Sequence, residues 1–294
     1  MSRQGLYSAA ALPGQPAEPA LRCRGLVHVY RVLGTDVAAL RGVDLQILPA
    51  QRVALLGRSG SGKSTLLTIA AGLVRPSAGT LEIFGHDVSA ATATELQRFR
   101  GGQLGLILQG ARTNVLLHES VEGNIEWVAR GASQAHSELG YEVTDRLRLA
   151  RDAGPVGSLP VADQQKLALV TALVTRPRLL LLDEPTSQLD DDERDLFLDV
   201  LIDVAERHST ALLLVTHDEL VASRMQRLVY LRGGRVGEEA TASGRFSVVS
   251  SDGSIVLPEE IRGSWPAGTL VAVTENGDGL HVTRHEEESG HAQH

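Results

Sequence analysis

The chain has a single cysteine, Cys23, in 294 residues. An internal disulfide is therefore excluded, which fits a reducing compartment where thiols stay free. Cys23 itself reads as a small, half-buried hydrophobe rather than a reactive thiol. Aromatic residues are scarce, at 3%, so an aromatic beside a motif carries extra weight. No stretch approaches the ~18 consecutive apolar residues of a membrane span. The opening MSRQGLYSAAALPGQPAEPA has one arginine, a very short apolar stretch and several prolines. It lacks the core of a secretory signal and is expected to be a disordered tail over 1–20. Any role at a membrane would then run through a partner. Positive charge is also short, with 28 Lys and Arg against 36 Asp and Glu and a net charge of −8. That balance argues against a general nucleic-acid-binding surface, and no nucleic-acid partner is expected.

What remains is ordinary globular content, 43% hydrophobic and 22% charged, in a length that suits one large domain with a small appendage. From Leu21 to Asp44 short alternating runs predict antiparallel strands around a turn at LGT. RVALLG is a compact apolar strand leading into a glycine-rich loop, and STLLTIAAGL reads as a helix ended by Gly72 and Pro76. GTLEIFG and LGLILQ are strands on either side of a polar helix in TATELQRFRGG. Residues 110–158 read as helical, and with a following helix from about Asp163 they form a helical insert over about 110–175. RLLLLDE, TALLLVTH and RLVYLRGGRV then read as strands, alternating with helices near 191–207 and up to Arg227. Near-continuous apolar strands alternating with helices indicate an α/β fold with a mostly parallel sheet covered on both faces. Beyond about Ala240 the texture changes to hairpin, short helix, hairpin, with Asp-Gly turns. The expected organisation is a main domain over 21–240, a β-hairpin-rich appendage over 245–285 and a flexible tail over 286–294.

Two motifs carry chemistry. GRSGSGKST, residues 57–65, fits G-x-x-x-x-G-K-[ST] and sits between a strand and a helix, the context that motif requires. Its glycines let backbone N–H groups turn inward around phosphates, and the helix start favours negative charge. Gly57, Ser59, Gly60, Ser61, Gly62 and Thr65 form the cradle. Lys63 is expected to reach the β- and γ-phosphates of ATP, and Ser64 to offer its hydroxyl to Mg²⁺. In LLLLDEP a buried strand delivers Asp183 and Glu184 to its carboxyl end, where α/β sheets bind ligands. Asp183 is placed to hold Mg²⁺, and Glu184 to act as general base toward the attacking water.

In this order the motifs resemble the nucleotide-binding subunit of ATP-binding-cassette (ABC) transporters over roughly 21–240. The resemblance implies a P-loop NTPase cassette: a mostly parallel sheet with an antiparallel β subdomain and a helical subdomain. It further implies that Tyr30 stacks on adenine and that Gln109 senses Mg²⁺ and meets the membrane subunit. Asp190 would lie on the dimer-facing loop, and His217 would contact the γ-phosphate. TNVLLHESVEGNI and EPTSQLD are similar to the lipoprotein-release and macrolide-export branch. The implied cofactors are ATP and Mg²⁺. The implied partners are a multi-span permease and a second cassette, with the chain peripheral on the cytoplasmic face of the cell membrane.

One motif departs from the family. Where the family reads Leu-Ser-Gly-Gly-Glu-Gln-Gln-Arg, this chain keeps Leu159, Gln164 and Gln165, with Lys166 near the arginine, but has Pro160-Val161-Ala162 in place of Ser-Gly-Gly. In ABC proteins that tripeptide covers the partner's ATP with a serine hydroxyl, glycine N–H groups and a helix N-terminus. Pro160 removes a hydroxyl and a donor, and Val161 and Ala162 add bulk and exclude glycine-only conformations. The expectation is a sound nucleotide bed with a poor lid, low turnover alone, and a heterodimer rather than a homodimer. A regulatory switch outside transport, or a mainly ATP-binding subunit with weak hydrolysis, are the alternatives. SSDGSIVLPEEIR resembles the swapped-hairpin module of AbrB-type regulators, but Arg245, Arg262 and Arg284 are few and acidic residues surround them. A β-ribbon that packs on the cassette or aids dimerisation is preferred to DNA binding.

Overall fold

A computed structural model describes residues 18–32, 34–130, 134–151, 154–250, 253–266, 268–277 and 279–284. The tails expected at the two ends, apart from 18–20, Leu33 of the LGT turn, and Asp252 and Asp278 of the two Asp-Gly turns lie outside them. The described chain falls into two compact units, divided between Ile255 and Val256.

The first unit opens with two long antiparallel strands, β1 (Leu21–Val32) and β2 (Thr35–Ile47). Next come β3 (Arg52–Leu56), the glycine-rich loop and α1 (Lys63–Ala70). Gly72 follows α1 in a left-handed conformation, φ +64, and ends the helix as expected. β4 (Ala78–Ile83) and the two-residue β5 (His86–Asp87) complete a four-stranded sheet in the order β2-β1-β4-β5. This is the expected antiparallel subdomain. Helix α2 (Ala93–Gln103) starts at a capping box made by Thr92 and Glu95 and leads into β6 (Leu104–Ile107). The helical insert contains α3 (Val121–Ala129), α4 (Gln134–Arg146) and α5 (Val161–Val174).

The remaining elements alternate: β7 (Leu179–Asp183), α6 (Asp191–His208), β8 (Ala211–Val215), α7 (Glu219–Ser223), then β9 (Arg227–Arg232). α7 is shorter than the helix expected up to Arg227, because Arg227 already pairs with Val53 of β3. RLVYLRGGRV is likewise not one strand. Gly233 and Gly234, φ +55 and +81, turn the chain into the antiparallel β10 (Arg235–Thr241), a reversal that two consecutive glycines permit. β11 (Gly244–Ser247) then pairs with β10. The large sheet has the order β11-β10-β9-β3-β8-β7-β6, in which the five strands from β9 to β6 run parallel to one another and β10 and β11 are antiparallel additions at the edge. Because β11 is its outermost strand, the main unit reaches Ile255 rather than stopping near 240.

The central parallel strands, β7 up to Asp183 and β8, are apolar because each faces two cores. Leu180 and Leu182 of β7 and Leu212 and Leu214 of β8 enter a core shared with α3 to α7. Leu179, Leu181, Leu213 and Val215 point the other way, into a core shared with α1 and the antiparallel sheet. Alternation across a sheet covered on both faces leaves no position for a polar side chain until the strand ends. Among the described residues no helix is long and apolar enough to cross a membrane. The second unit holds α8 (Glu259–Arg262) and an antiparallel pair, β12 (Val271–Asn276) and β13 (Gly279–Arg284), with Arg284 over the Trp265 ring at 5.6 Å.

Candidate functional site

Parallel pairing puts the carboxyl ends of β3, β8, β7 and β6 side by side, with Leu55, Val215 and Asp183 in one cross-strand row. Each strand discharges a polar segment at that edge: the glycine-rich loop, Thr216-His217, Glu184 and Gln109. The cleft they enclose measures about 670 Å³ and is lined by Gly57, the run 59–65, Gln109, Asp183, Glu184 and His217. Twelve of the fourteen residues expected at the site therefore share one cavity. Ala39, Arg58 and Ser187 line it as well and were not anticipated.

The loop is shaped by close backbone approaches. A Cβ on Gly57 would sit 2.4 Å from the Leu231 carbonyl oxygen, and one on Gly62 would sit 2.5 Å from that of Ala39. Gly62 also has φ +103 and caps α1 without a side chain, so the first-turn N–H groups of α1 are left for an incoming anion. Lys63 Nζ donates to the carbonyls of Gly57 at 2.7 Å and Arg58 at 3.2 Å, holding the ammonium at the mouth of the cradle. Ser61 is buried, its hydroxyl oxygen without a hydrogen-bond partner. Gly62→Ala is expected to lower ATP affinity at least about tenfold and destabilise the fold by about 1–3 kcal/mol. Gly60→Ala, at φ +76 but with open space around its Cβ, should cost only the smaller backbone penalty, about 1 kcal/mol. Equilibrium ATP binding and thermal melts of the two variants check this ordering.

The acidic side is unusually constrained. Asp183 is 4% exposed and its Oδ1 has no hydrogen-bond partner. Burial pushes its carboxyl above the ordinary range; a hydrogen bond from Ser64 and the Lys63 charge oppose this, while the Glu184 charge adds to it. Glu184 holds a left-handed backbone, φ +48, which a non-glycine residue adopts at a cost of about 1–3 kcal/mol. Its N–H donates to Val215 O at 2.9 Å, His217 Nδ1 donates to its Oε1 at 2.8 Å, and Thr216 Oγ1 to its Oε2 at 3.4 Å. Thr216 was missed by the sequence reading, although it immediately precedes His217. Gln109 is steadied from behind by Asn114, which accepts from Leu108 N and donates to Leu108 O, both at 2.8 Å.

Two expected residues stand outside the cleft wall. Tyr30 is 38% exposed, stacks edge-on against His28, and its hydroxyl lies 3.3 Å from Thr65 Oγ1. Asp190 is the N-cap of α6, in a capping box with Glu193. The altered tripeptide lies at the start of α5: Pro160 is the N-cap, with no side-chain cap, and α5 is regular from Val161. Neither Val161 nor Ala162 has a positive φ. The expected glycine-only backbone is therefore not required here, and these two residues differ from glycine by bulk alone.

An Mg²⁺ ion fits the donor set. The unpartnered, buried Asp183 oxygen beside the Ser64 hydroxyl offers two hard oxygen ligands, and Gln109 offers a third from across the cleft. Among the described residues no group of three or more His, Cys, Asp or Glu forms a metal cage. Such a donor set would leave the remaining positions of a bound Mg²⁺ to water and substrate phosphates.

A phosphate-binding loop, an acidic strand end and a parallel sheet with an antiparallel flap define a nucleotide-hydrolysing cassette. The ABC transporter family model matches residues 40–187. The chain is 34% identical over 229 residues to the lipoprotein-releasing system ATP-binding protein LolD of Chromohalobacter salexigens, covering 75% of this chain and 94% of that one. It is 34% identical over 222 residues to the macrolide export ATP-binding/permease protein MacB of Rhodopirellula baltica, covering 73% of this chain but 32% of that longer protein. The structure is similar to the ATP-binding cassette MJ0796 in its dimeric post-hydrolysis state with ADP and Pi, with a TM-score of 0.69 and 27% identity, covering 75% and 98% of the two chains. The chain belongs to the ABC transporter family, as an ATP-binding cassette with ATPase activity.

Proposed function

We propose that this chain is the energy-supplying subunit of a membrane transporter, docked on a multi-span permease at the cytoplasmic face, and that it works opposite a second, different cassette. The observation that carries the pairing is the contrast between a complete cleft and the bare start of α5, where Pro160 offers neither a capping hydroxyl nor an N–H.

Within its own cleft the chain is fully equipped. The cradle N–H groups and Lys63 bind and orient the triphosphate, and Ser64, Asp183 and Gln109 are the residues that would hold Mg²⁺. Once bound, that ion neutralises charge developing on the phosphate oxygens. Glu184, fixed by its backbone and by His217 and Thr216, polarises the attacking water, while His217 remains at the cleft edge to meet the γ-phosphate. Tyr30 supports the base, and Asp190 faces the partner. Over the partner's ATP, by contrast, this chain lacks two or three charge-assisted hydrogen bonds, each worth about 1.5–3 kcal/mol. A heterodimer keeps one competent site; a homodimer keeps none. The test is self-association. Purified Glu184→Gln is expected to stay monomeric with ATP in sedimentation velocity, while the unmutated chain hydrolyses ATP slowly. ATP-driven self-dimerisation together with ordinary turnover would overturn the pairing.

A further inference from the structure

We propose that Gln165 and Lys166 are positioning residues for the hydrolytic site of their own chain, so that the two halves of the 159–166 motif serve different nucleotides. The inference rests on reading Glu184 as the general base and Asp190 as the dimer-facing residue.

Every residue of α5 from Gln164 to Val174 is buried. An amide and an ammonium in that setting are costly unless paired, and a leucine or methionine would fill similar volume without the cost. Their partners lie on the segment that follows β7. Gln165 Nε2 donates to the Pro185 carbonyl at 2.8 Å, one residue beyond Glu184. Lys166, 7% exposed, donates to Glu193 Oε1 at 2.7 Å and to Asp163 Oδ1 at 3.1 Å. Glu193 in turn frames Asp190: its N–H donates to Asp190 Oδ1 at 2.8 Å, and its Oε2 accepts from Asp190 N at 3.4 Å. α5 thus pins the 185–190 segment at both ends, through a buried amide beside the base and through a buried cation beneath the dimer-facing cap. The strained φ of Glu184 needs such support, because a conformation of that kind persists only where its surroundings over-determine it.

The first half of the motif makes no such connection. Pro160 contributes its carbonyl to Gln164 N, a bond local to the helix start, and Val161 is 45% exposed. Loss of Ser-Gly-Gly therefore removes only the cover offered to another chain's ATP. Loss of Gln165 or Lys166 would loosen this chain's own base.

The full-length chain tests this with two readouts, amide hydrogen exchange at Ser187–Asp190 and steady-state ATP hydrolysis. Lys166→Met is expected to raise exchange in that segment about tenfold and to lower kcat about tenfold, with KM for ATP within about twofold of the parent. Lys166→Arg should restore both, since a guanidinium can serve two carboxylates. Should Lys166→Met fail to fold, Glu193→Gln, which keeps the capping geometry and removes the charge, is expected to give the same pattern. Unchanged exchange, unchanged kcat, no rescue by arginine, or a KM that rises as kcat falls would each overturn the proposal. Glu184→Gln is assayed alongside: full turnover there sinks the reading of the base, while exchange still decides the anchoring.

Discussion

Replacing Pro160-Val161-Ala162 with Ser-Gly-Gly is expected to raise ATP turnover of the purified chain about 10²-fold. A single preorganised donor aimed at developing charge is worth about that much in other enzymes, and the replacement supplies more than one. The fold is ready to receive it. Position 160 is already the N-cap of a regular helix, so a serine there places its hydroxyl at the positive end of α5 without rebuilding the backbone. Stability should change little: a serine cap contributes about 1 kcal/mol, and each glycine in the first helical turn costs up to about that. The gain should therefore appear in phosphate release and in ATP-dependent self-association on the Glu184→Gln background, with the melting temperature shifted by no more than a few degrees. If the restored chain remains as slow and as monomeric as its parent, the tripeptide is not what limits it, and the case for a second kind of cassette loses its basis.

The parts of the molecule that were legible in the sequence are those where chemistry and local geometry coincide. GRSGSGKST specifies its own loop, since the positions where a Cβ would meet Leu231 or Ala39 are glycines of the motif. LLLLDE could be read as a strand with a polar end because alternate leucines serve two cores, leaving the first acidic residue at the sheet edge. Some of the features that escaped depend on distant partners, and others had local signals. In RLVYLRGGRV the two glycines are a local hairpin signal, and the pairing of β10 with β9 shows that they turn the chain. GRFS looked like part of the appendage, but its register with Glu238–Thr241 makes it the edge of the main sheet. α5 begins two residues before the expected Asp163 because a proline, excluded from helix interiors, is tolerated at the cap. Ala39 could not have been found as a cleft residue, since its contribution is a backbone carbonyl against the loop. Ser187 and Thr216, each within three residues of an expected site residue, were nearer to hand.

Asp183→Asn is expected to separate stability from activity. Burial raises the Asp183 carboxyl above its ordinary value, and the Ser64 hydrogen bond and the Lys63 charge do not fully compensate. A carboxyl whose native pKa lies above its unfolded value, about 3.9, contributes stability that is present at lower pH and lost as pH rises through the native value. Near neutral pH the nucleotide-free fold therefore carries Asp183 as a burden, with one buried oxygen unpartnered. Asparagine removes the charge at nearly constant volume. The variant should melt about 2–4 °C above the parent at pH 7, corresponding to roughly 1 kcal/mol in a domain of this size, and the difference should shrink as the pH approaches 4. Turnover should fall about 10²-fold or more, since on the proposed reading Asp183 supplies a charged oxygen ligand for Mg²⁺. Melts with and without Mg²⁺-ATP give the complementary sign: the parent gains stability on adding it, and the variant gains less. A variant that melts below its parent without nucleotide would mean that Asp183 is held by interactions of the fold itself rather than kept in place for a ligand.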